Sequence, residues 1–174
     1  MTSTQFEKPM LLRGRARVVP VDNVDTDMIF HNRHLHITRR EEMAPHMFGN
    51  LDDWKEFPKQ AQAGDILIVG RNFGCGSSRQ QAVDGFVALG VAALVGESFG
   101  AIYKRNAINA GLPLIECPGV AKSGIEDNDE IIVDFEKGTI SRPDCSIIIT
   151  GKPLTQVQRD IYFAGGLLEM AVGA

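Results

Sequence analysis

Residues 64–115 read GDILIVGRNFGCGSSRQQAVDGFVALGVAALVGESFGAIYKRNAINAGLPLI, and their pattern decides the fold. Gly64–Asp65 is a turn. The next four residues, ILIV, are wholly apolar and end at a glycine, as expected of a strand buried on both faces. Over residues 78–89, Ala82, Val83, Phe86 and Leu89 recur at helical spacing, and Gly90 is placed to end that helix. Residues 91–95 form a second apolar strand. Ser98 is placed to cap a helix reaching Ala110, with Gly111 as its stop. Residues 112–115 are a third strand. Pro113 cannot donate to a ladder, so it marks an edge or a strand start. The order β-α-β-α-β implies parallel strands with right-handed crossovers.

The flanks add to this unit. Residues 13–19 read as a strand that stops at Pro20, and turn formers crowd residues 22–27. Thr38 and Glu41 have the spacing of a capping box, so a short helix is expected there, bent or ended by Pro45. Residues 51–63 hold a further helical turn or two. Residues 130–135 and 138–141 make a hairpin around Glu136–Lys137, and 147–150 are another strand. A helix from Leu154 is weakened by Gly165–Gly166. The expected class is α/β: a parallel β-α-β-α-β core extended by antiparallel strands, within one domain spanning 1–174.

Composition narrows the partners. The 174 residues carry a net charge of −4, which argues mildly against nucleic acid. No apolar run approaches the roughly 20 residues that span a bilayer. The start, MTSTQFEKPM, lacks the apolar core of a secretory signal, so a cytoplasmic location without membrane contact is expected. Cys75, Cys117 and Cys145 are odd in number and widely spaced. A disulfide framework or cysteine zinc site is therefore not expected, and no metal site is assigned to this chain. Cys117 and Cys145 are read as buried or half-buried structural thiols.

Ligands of parallel α/β units gather where strands end and helices begin, and RNFGCGSSR occupies such a place. Gly70, Gly74 and Gly76 allow sharp turns and close approach. Unpartnered N–H groups at the helix start and the Arg79 fork suit an anion, either phosphate or carboxylate. The stretch lacks the lysine of a P-loop, the GxSxG of a nucleophile elbow and the last glycine of GxGxxG. One of Ser77 and Ser78 fits a helix N-cap. The other is a spare hydroxyl among positive partial charges, which can be stabilised as an alkoxide and accept a proton.

GRNFGCGSSRQQAVDGFVALGVAALVGESFGAIYKRNAINAGLPLI, together with NVDTDMIF at 23–30, resembles the swivelling small subunits of the aconitase superfamily. The likeness runs from about Val18 to Ile115. It is nearest to the 3-isopropylmalate dehydratase and homoaconitase branch. The resemblance implies a swivelling β/β/α domain of a two-subunit hydro-lyase that moves a hydroxyl between adjacent carbons of a hydroxy acid. It implies a large partner subunit whose three cysteines hold a [4Fe–4S] cluster, with no cofactor on this chain. By motif position the proton-abstracting base is Ser77. The resemblance implies that Ser78 and Arg79 bind substrate carboxylate. Gly74, Cys75 and Gly76 shape the anion loop, with Cys75 a loop residue and not a cluster ligand.

Three departures bear on the substrate. That branch often carries YLR after DTD; here the aligned residues are His34-Leu35-His36, preceded by Arg33, so Arg33 or His36 takes the recognition role. SSRQQ replaces the frequent SSREH, and SFGAI the frequent SFARI. The main expectation is isopropylmalate isomerisation in leucine biosynthesis. Homoaconitate, dimethylmalate and citraconate/maleate-type acids are the alternatives, and a stand-alone carboxylate-binding domain is the alternative of another class. The polar 31–37 loop is expected to be loosely held in the isolated chain, where self-association is also open.

Overall fold

The computed structural model describes residues 8–173. Strand β1 (Leu11–Val19) is followed by a one-turn helix α1 (Thr26–Ile29) and a 3₁₀ turn at Asn32–His34. Next come α2 (Arg40–Met43), a 3₁₀ turn at Ala44–His46, and α3 (Phe57–Gln60). The parallel unit is β2 (Ile66–Val69), α4 (Gln81–Ala88), β3 (Ala93–Gly96), α5 (Ala101–Asn109) and β4 (Leu114–Glu116). After a 3₁₀ turn at Val120–Lys122 the chain forms β5 (Glu130–Asp134), β6 (Thr139–Ser141) and β7 (Ile148–Thr150). Helices α6 (Gln156–Ala164) and α7 (Leu167–Val172) follow.

The strands form one mixed sheet in the order β4-β3-β2-β1-β5-β6-β7. β1 joins its halves. Residues 16–19 run parallel to β2, while residues 11–15 run antiparallel to β5. β2 is buried along its length because both faces are covered. Leu67 and Val69 enter one core with Phe73, Phe86 and Tyr103, whereas Ile66 and Ile68 enter another with Ile131, Val133 and Phe135. That division is the two-residue period of a strand. β4 is one edge of the sheet, and Pro113 stands just before it.

At the N-terminal end of β2 lies a buried charge network. Asp65, 2 % exposed, accepts two hydrogen bonds from Arg15 at 2.9 and 2.8 Å. Arg17, also buried, bonds Asp127 at 3.1 Å and Gln60 Oε1 at 3.0 Å. Buried charges persist only when paired in this way. The network lies at the opposite end of β2 from the glycine-rich loop.

Several local expectations are corrected. α4 begins at Gln81, not Ser78, and its N-cap is Gln80 without a side-chain cap bond. Ser98 does not cap α5; that helix starts after Gly100, and Ser98 Oγ instead accepts from the Asn72 N–H at 2.9 Å. Thr38 caps nothing, since α2 starts after Arg39 and the Arg39 guanidinium takes the Glu41 carboxylate. The terminal helix is divided at Gly165–Gly166, and its first half opens with a capping box formed by Thr155 and Gln158. Cys117 is buried, but Cys145 is exposed in the turn between β6 and β7.

Candidate active site

The loop after β2 is clamped from two sides. On one side Gly74 N–H donates to Val24 O at 2.7 Å, and Thr26 N–H donates to Cys75 O at 3.0 Å. On the other, Phe73 N–H donates to Ser98 O at 3.1 Å and Gly100 N–H to Phe73 O at 2.9 Å. Phe73 anchors the loop: it is fully buried and meets Tyr103 edge-on with ring centroids 5.5 Å apart. Tyr103 in turn donates to Ala82 O at 3.1 Å, tying α5 to α4. Gly74 is obligatory, because its φ is +75° and a Cβ there would lie 2.1 Å from the Tyr103 ring. Gly76, at φ +92°, holds a left-handed conformation that L side chains resist.

The DTD and GSSR segments are interlocked by bonds between residues 51 and 52 positions apart in the chain. Asp25 caps α1 by accepting from Met28 N–H at 2.8 Å. Thr26, 3 % exposed, donates its hydroxyl to Ser77 O at 2.9 Å. Asp27 accepts from Arg79 Nη1 at 2.8 Å, and the same nitrogen donates to Phe30 O at 2.6 Å. Asp27 also accepts from Asn32 N–H at 2.8 Å and Asn50 Nδ2 at 2.9 Å. The Arg79 hydrogen bond is the main cause holding the Asp27 carboxyl below its usual range. Arg79 therefore brings an ion pair to the loop instead of a free charge. Among the described residues its Nη2 and Nε have no protein hydrogen bond.

The two serines differ. Ser77 is exposed, and among the described residues its hydroxyl makes no hydrogen bond. Ser78, also exposed, accepts at Oγ from Asn106 Nδ2 of α5 at 3.2 Å. Neither caps α4. The helix amides expected to converge on the serines are partly used: Ala82 N–H bonds Arg79 O and Val83 N–H bonds Gln80 O. Among the described residues, the N–H groups of residues 77–81 have no protein acceptor. These free N–H groups lie on the loop before α4 and on the first residue of that helix. Helix capping was read from local sequence; the bonds from Thr26 to Ser77 O and from Arg79 to α1 hold this stretch out of the helix.

Residues 31–37 form a hydrogen-bonded turn. Arg33 and His36 are both exposed on it. The turn is tied to α1 through Asn32 and Asp27, and to α4 by a long contact of 3.4 Å from Gln81 Nε2 to Leu35 O. Gln81, flagged in the sequence only as a departure, thus joins the 31–37 turn to the start of α4. The sequence reading also missed Thr26, Asp27, Phe73 and Asn106 as positioning residues. All four lie inside the runs DTD, NFG and NAIN, which were the available signal.

Cys75 is half-buried; burial first, then the Asp25 carboxylate, raises its thiol pKa and disfavours a reactive thiolate. Burial pushes the Cys117 thiol up to about 11. Among the described residues, no three His, Cys, Asp or Glu side chains converge as metal ligands. The donor set of this chain therefore does not fit a three-cysteine iron–sulfur cluster. Among the described residues, no helix is long and apolar enough to cross a membrane.

The chain thus combines a seven-strand mixed sheet with a glycine-rich loop interlocked with the DTD turn. The family described as aconitase C-terminal domain matches residues 9–118. The chain belongs to that family. Within it, the chain is 43 % identical over 164 residues to the 3-isopropylmalate dehydratase small subunit of Caldicellulosiruptor saccharolyticus, covering 94 % of this chain and 92 % of the relative. It is 42 % identical over 147 residues to the isopropylmalate/citramalate isomerase small subunit of Methanocaldococcus jannaschii, covering 84 % and 86 %. A crystal structure of 3-isopropylmalate dehydratase from that archaeon superposes with a TM-score of 0.84 at 36 % identity, covering 94 % of both chains.

Proposed function

We propose that this chain is the small subunit of a two-subunit hydro-lyase that interconverts 3- and 2-isopropylmalate by dehydration and rehydration. The supporting observation is the interlock of DTD with GSSR, which leaves the Ser77 hydroxyl exposed beside free backbone N–H groups. In this reading Ser77, as an alkoxide stabilised by those amides, takes the proton from substrate carbon. Ser78 and Arg79 receive a substrate carboxylate. Arg79 does so with Nη2 and Nε, because Nη1 is held by Asp27 and Phe30 O. Arg33 and His36 face the variable end of the acid. Gly74, Cys75 and Gly76 carry the backbone through the turn.

The [4Fe–4S] cluster would be held by the large subunit, where it would supply Lewis acidity for the departing hydroxyl. On α7, Leu168 is 77 % and Leu167 40 % exposed, which supports a partner contact there. They line a cleft of about 410 Å³ with Gln80, the residue after Arg79. Exposed apolar surface continuous with a site suits a chain that closes over that site. The complex works in the cytoplasm.

The deciding experiment mixes the purified chain with a purified large subunit carrying its cluster. Isopropylmalate, citramalate, dimethylmalate and homocitrate-type acids are then offered to the mixture and to each chain alone. Turnover of isopropylmalate by the mixture alone supports the reading. Ligand binding by the isolated chain with no turnover in any mixture overturns it in favour of a carboxylate-binding domain.

A further inference from the structure

The chain has four histidines, and all lie between residues 31 and 46. Three of them surround Arg33. Its backbone N–H donates to His31 Nδ1 at 3.1 Å, its Nε–H donates to His34 Nε2 at 3.1 Å, and its carbonyl accepts from His36 Nδ1 at 3.1 Å. Among the described residues, Arg33 makes no hydrogen bond except to histidines. The fourth, His46 of the 44–46 turn, stacks on His34 with centroids 3.9 Å apart and planes 20° apart.

Two of these bonds exist in one protonation state only. An imidazole nitrogen accepts only through a free lone pair, and both nitrogens of an imidazolium are donors. His31 must be free of a proton at Nδ1, and His34 at Nε2. The His36 bond survives in either state, because its Nδ1 is the donor. Protonating His34 would also place a cation against Arg33 and against the stacked His46.

The charged neighbours are few. Within the turn they are Arg33 and the other histidines; from the 44–46 turn, His46. From α1 it is Asp27, which holds Asn32 N–H and is itself paired with Arg79. From α4 the contact is the uncharged Gln81. Burial first, then His46, Arg33, His31 and His36, keep His34 below its ordinary value.

We propose that His34 is a positioning residue whose unprotonated Nε2 fixes the Arg33 guanidinium in one orientation on the substrate-facing turn, which His31 caps at the Arg33 backbone N–H, and that protonating His34 releases the guanidinium. The functional half rests on the reading that Arg33 meets the substrate.

The test has two arms. In the first, the ¹⁵N-labelled full chain is titrated from pH 8 to 5, following the Arg33 Nε–H signal and the His34 ring. The signal is expected to be lost with the midpoint of the His34 titration. In His34→Gln, whose amide oxygen offers an acceptor that cannot be protonated, it persists to pH 5.5. An Arg33 signal indifferent to the His34 titration overturns the clasp.

The second arm measures the two-subunit enzyme. The wild-type KM is expected to rise progressively as pH falls from 7.5 to 5, while the double variant His31→Asn/His34→Gln stays flat. His34→Ala raises KM at both pH values without lowering kcat. A KM that falls on acidification, or the same rise in the double variant, overturns the positioning role. Coupled NMR signals with a KM unmoved by Arg33→Gln overturn the placement of Arg33 at the substrate and leave the clasp standing.

Discussion

Ser77→Ala separates chemistry from structure because the hydroxyl it removes holds nothing in the chain. The side chain is exposed and makes no hydrogen bond among the described residues. The bond that does fix this residue, from Thr26 to Ser77 O, uses the backbone and survives the change. The substitution should therefore alter folding stability by no more than about 0.5 kcal/mol, the range for surface changes that break no contact. Loss of a general base lowers rates by about 10²- to 10⁴-fold, or about 3–5 kcal/mol of transition-state stabilisation. Steady-state kinetics of the reconstituted complex should show that fall in kcat with KM changed by less than about threefold. Urea unfolding of the chain supplies the control. Ser78→Ala is the comparison, since it removes the 3.2 Å bond from Asn106 and should cost about 0.5–1.5 kcal/mol of stability. A Ser77→Ala enzyme with kcat within threefold of the parent would refute the assignment. So would a loss of activity matched by a loss of stability.

Three further outcomes follow from the geometry. Asp27→Ala removes the acceptor of three hydrogen bonds and frees Arg79; after discounting for exposure, urea melts should show a loss of about 2–3 kcal/mol. Because pairing depresses the Asp27 pKa when folded, its contribution is whole above the ordinary carboxylate value near 3.9 and is lost as pH falls below it, so parent and variant melts should converge in acid. Gly74→Ala forces a Cβ against Tyr103 at a left-handed φ, and should cost about 2–5 kcal/mol and lower the thermal midpoint clearly. Leu168→Asp should leave the melting of the isolated chain unchanged and weaken binding of the large subunit about 10- to 100-fold by calorimetry, the worth of one buried leucine.

The sequence by itself determined the parallel unit. ILIV and the apolar positions of α4 declare their burial through spacing alone, because strand and helix periods are local properties of the backbone. It also determined that RNFGCGSSR would sit where a strand gives way to a helix, and that Pro113 would mark an edge or a strand start. Helix starts were not legible. Ser78, Ser98 and Thr38 are all good caps by residue type, yet none caps, because backbone and side-chain bonds to distant segments determine where each helix begins. Only the tertiary structure decided that Asp27 neutralises Arg79, that Phe73 holds the loop from beneath, and that three histidines close on Arg33. The first two pairings join side chains about 30 to 50 residues apart, and the third depends on a turn whose shape is fixed by Asp27 and Gln81. Periodicity reports what each residue does to its neighbours in the chain; partners brought together by folding leave no such trace.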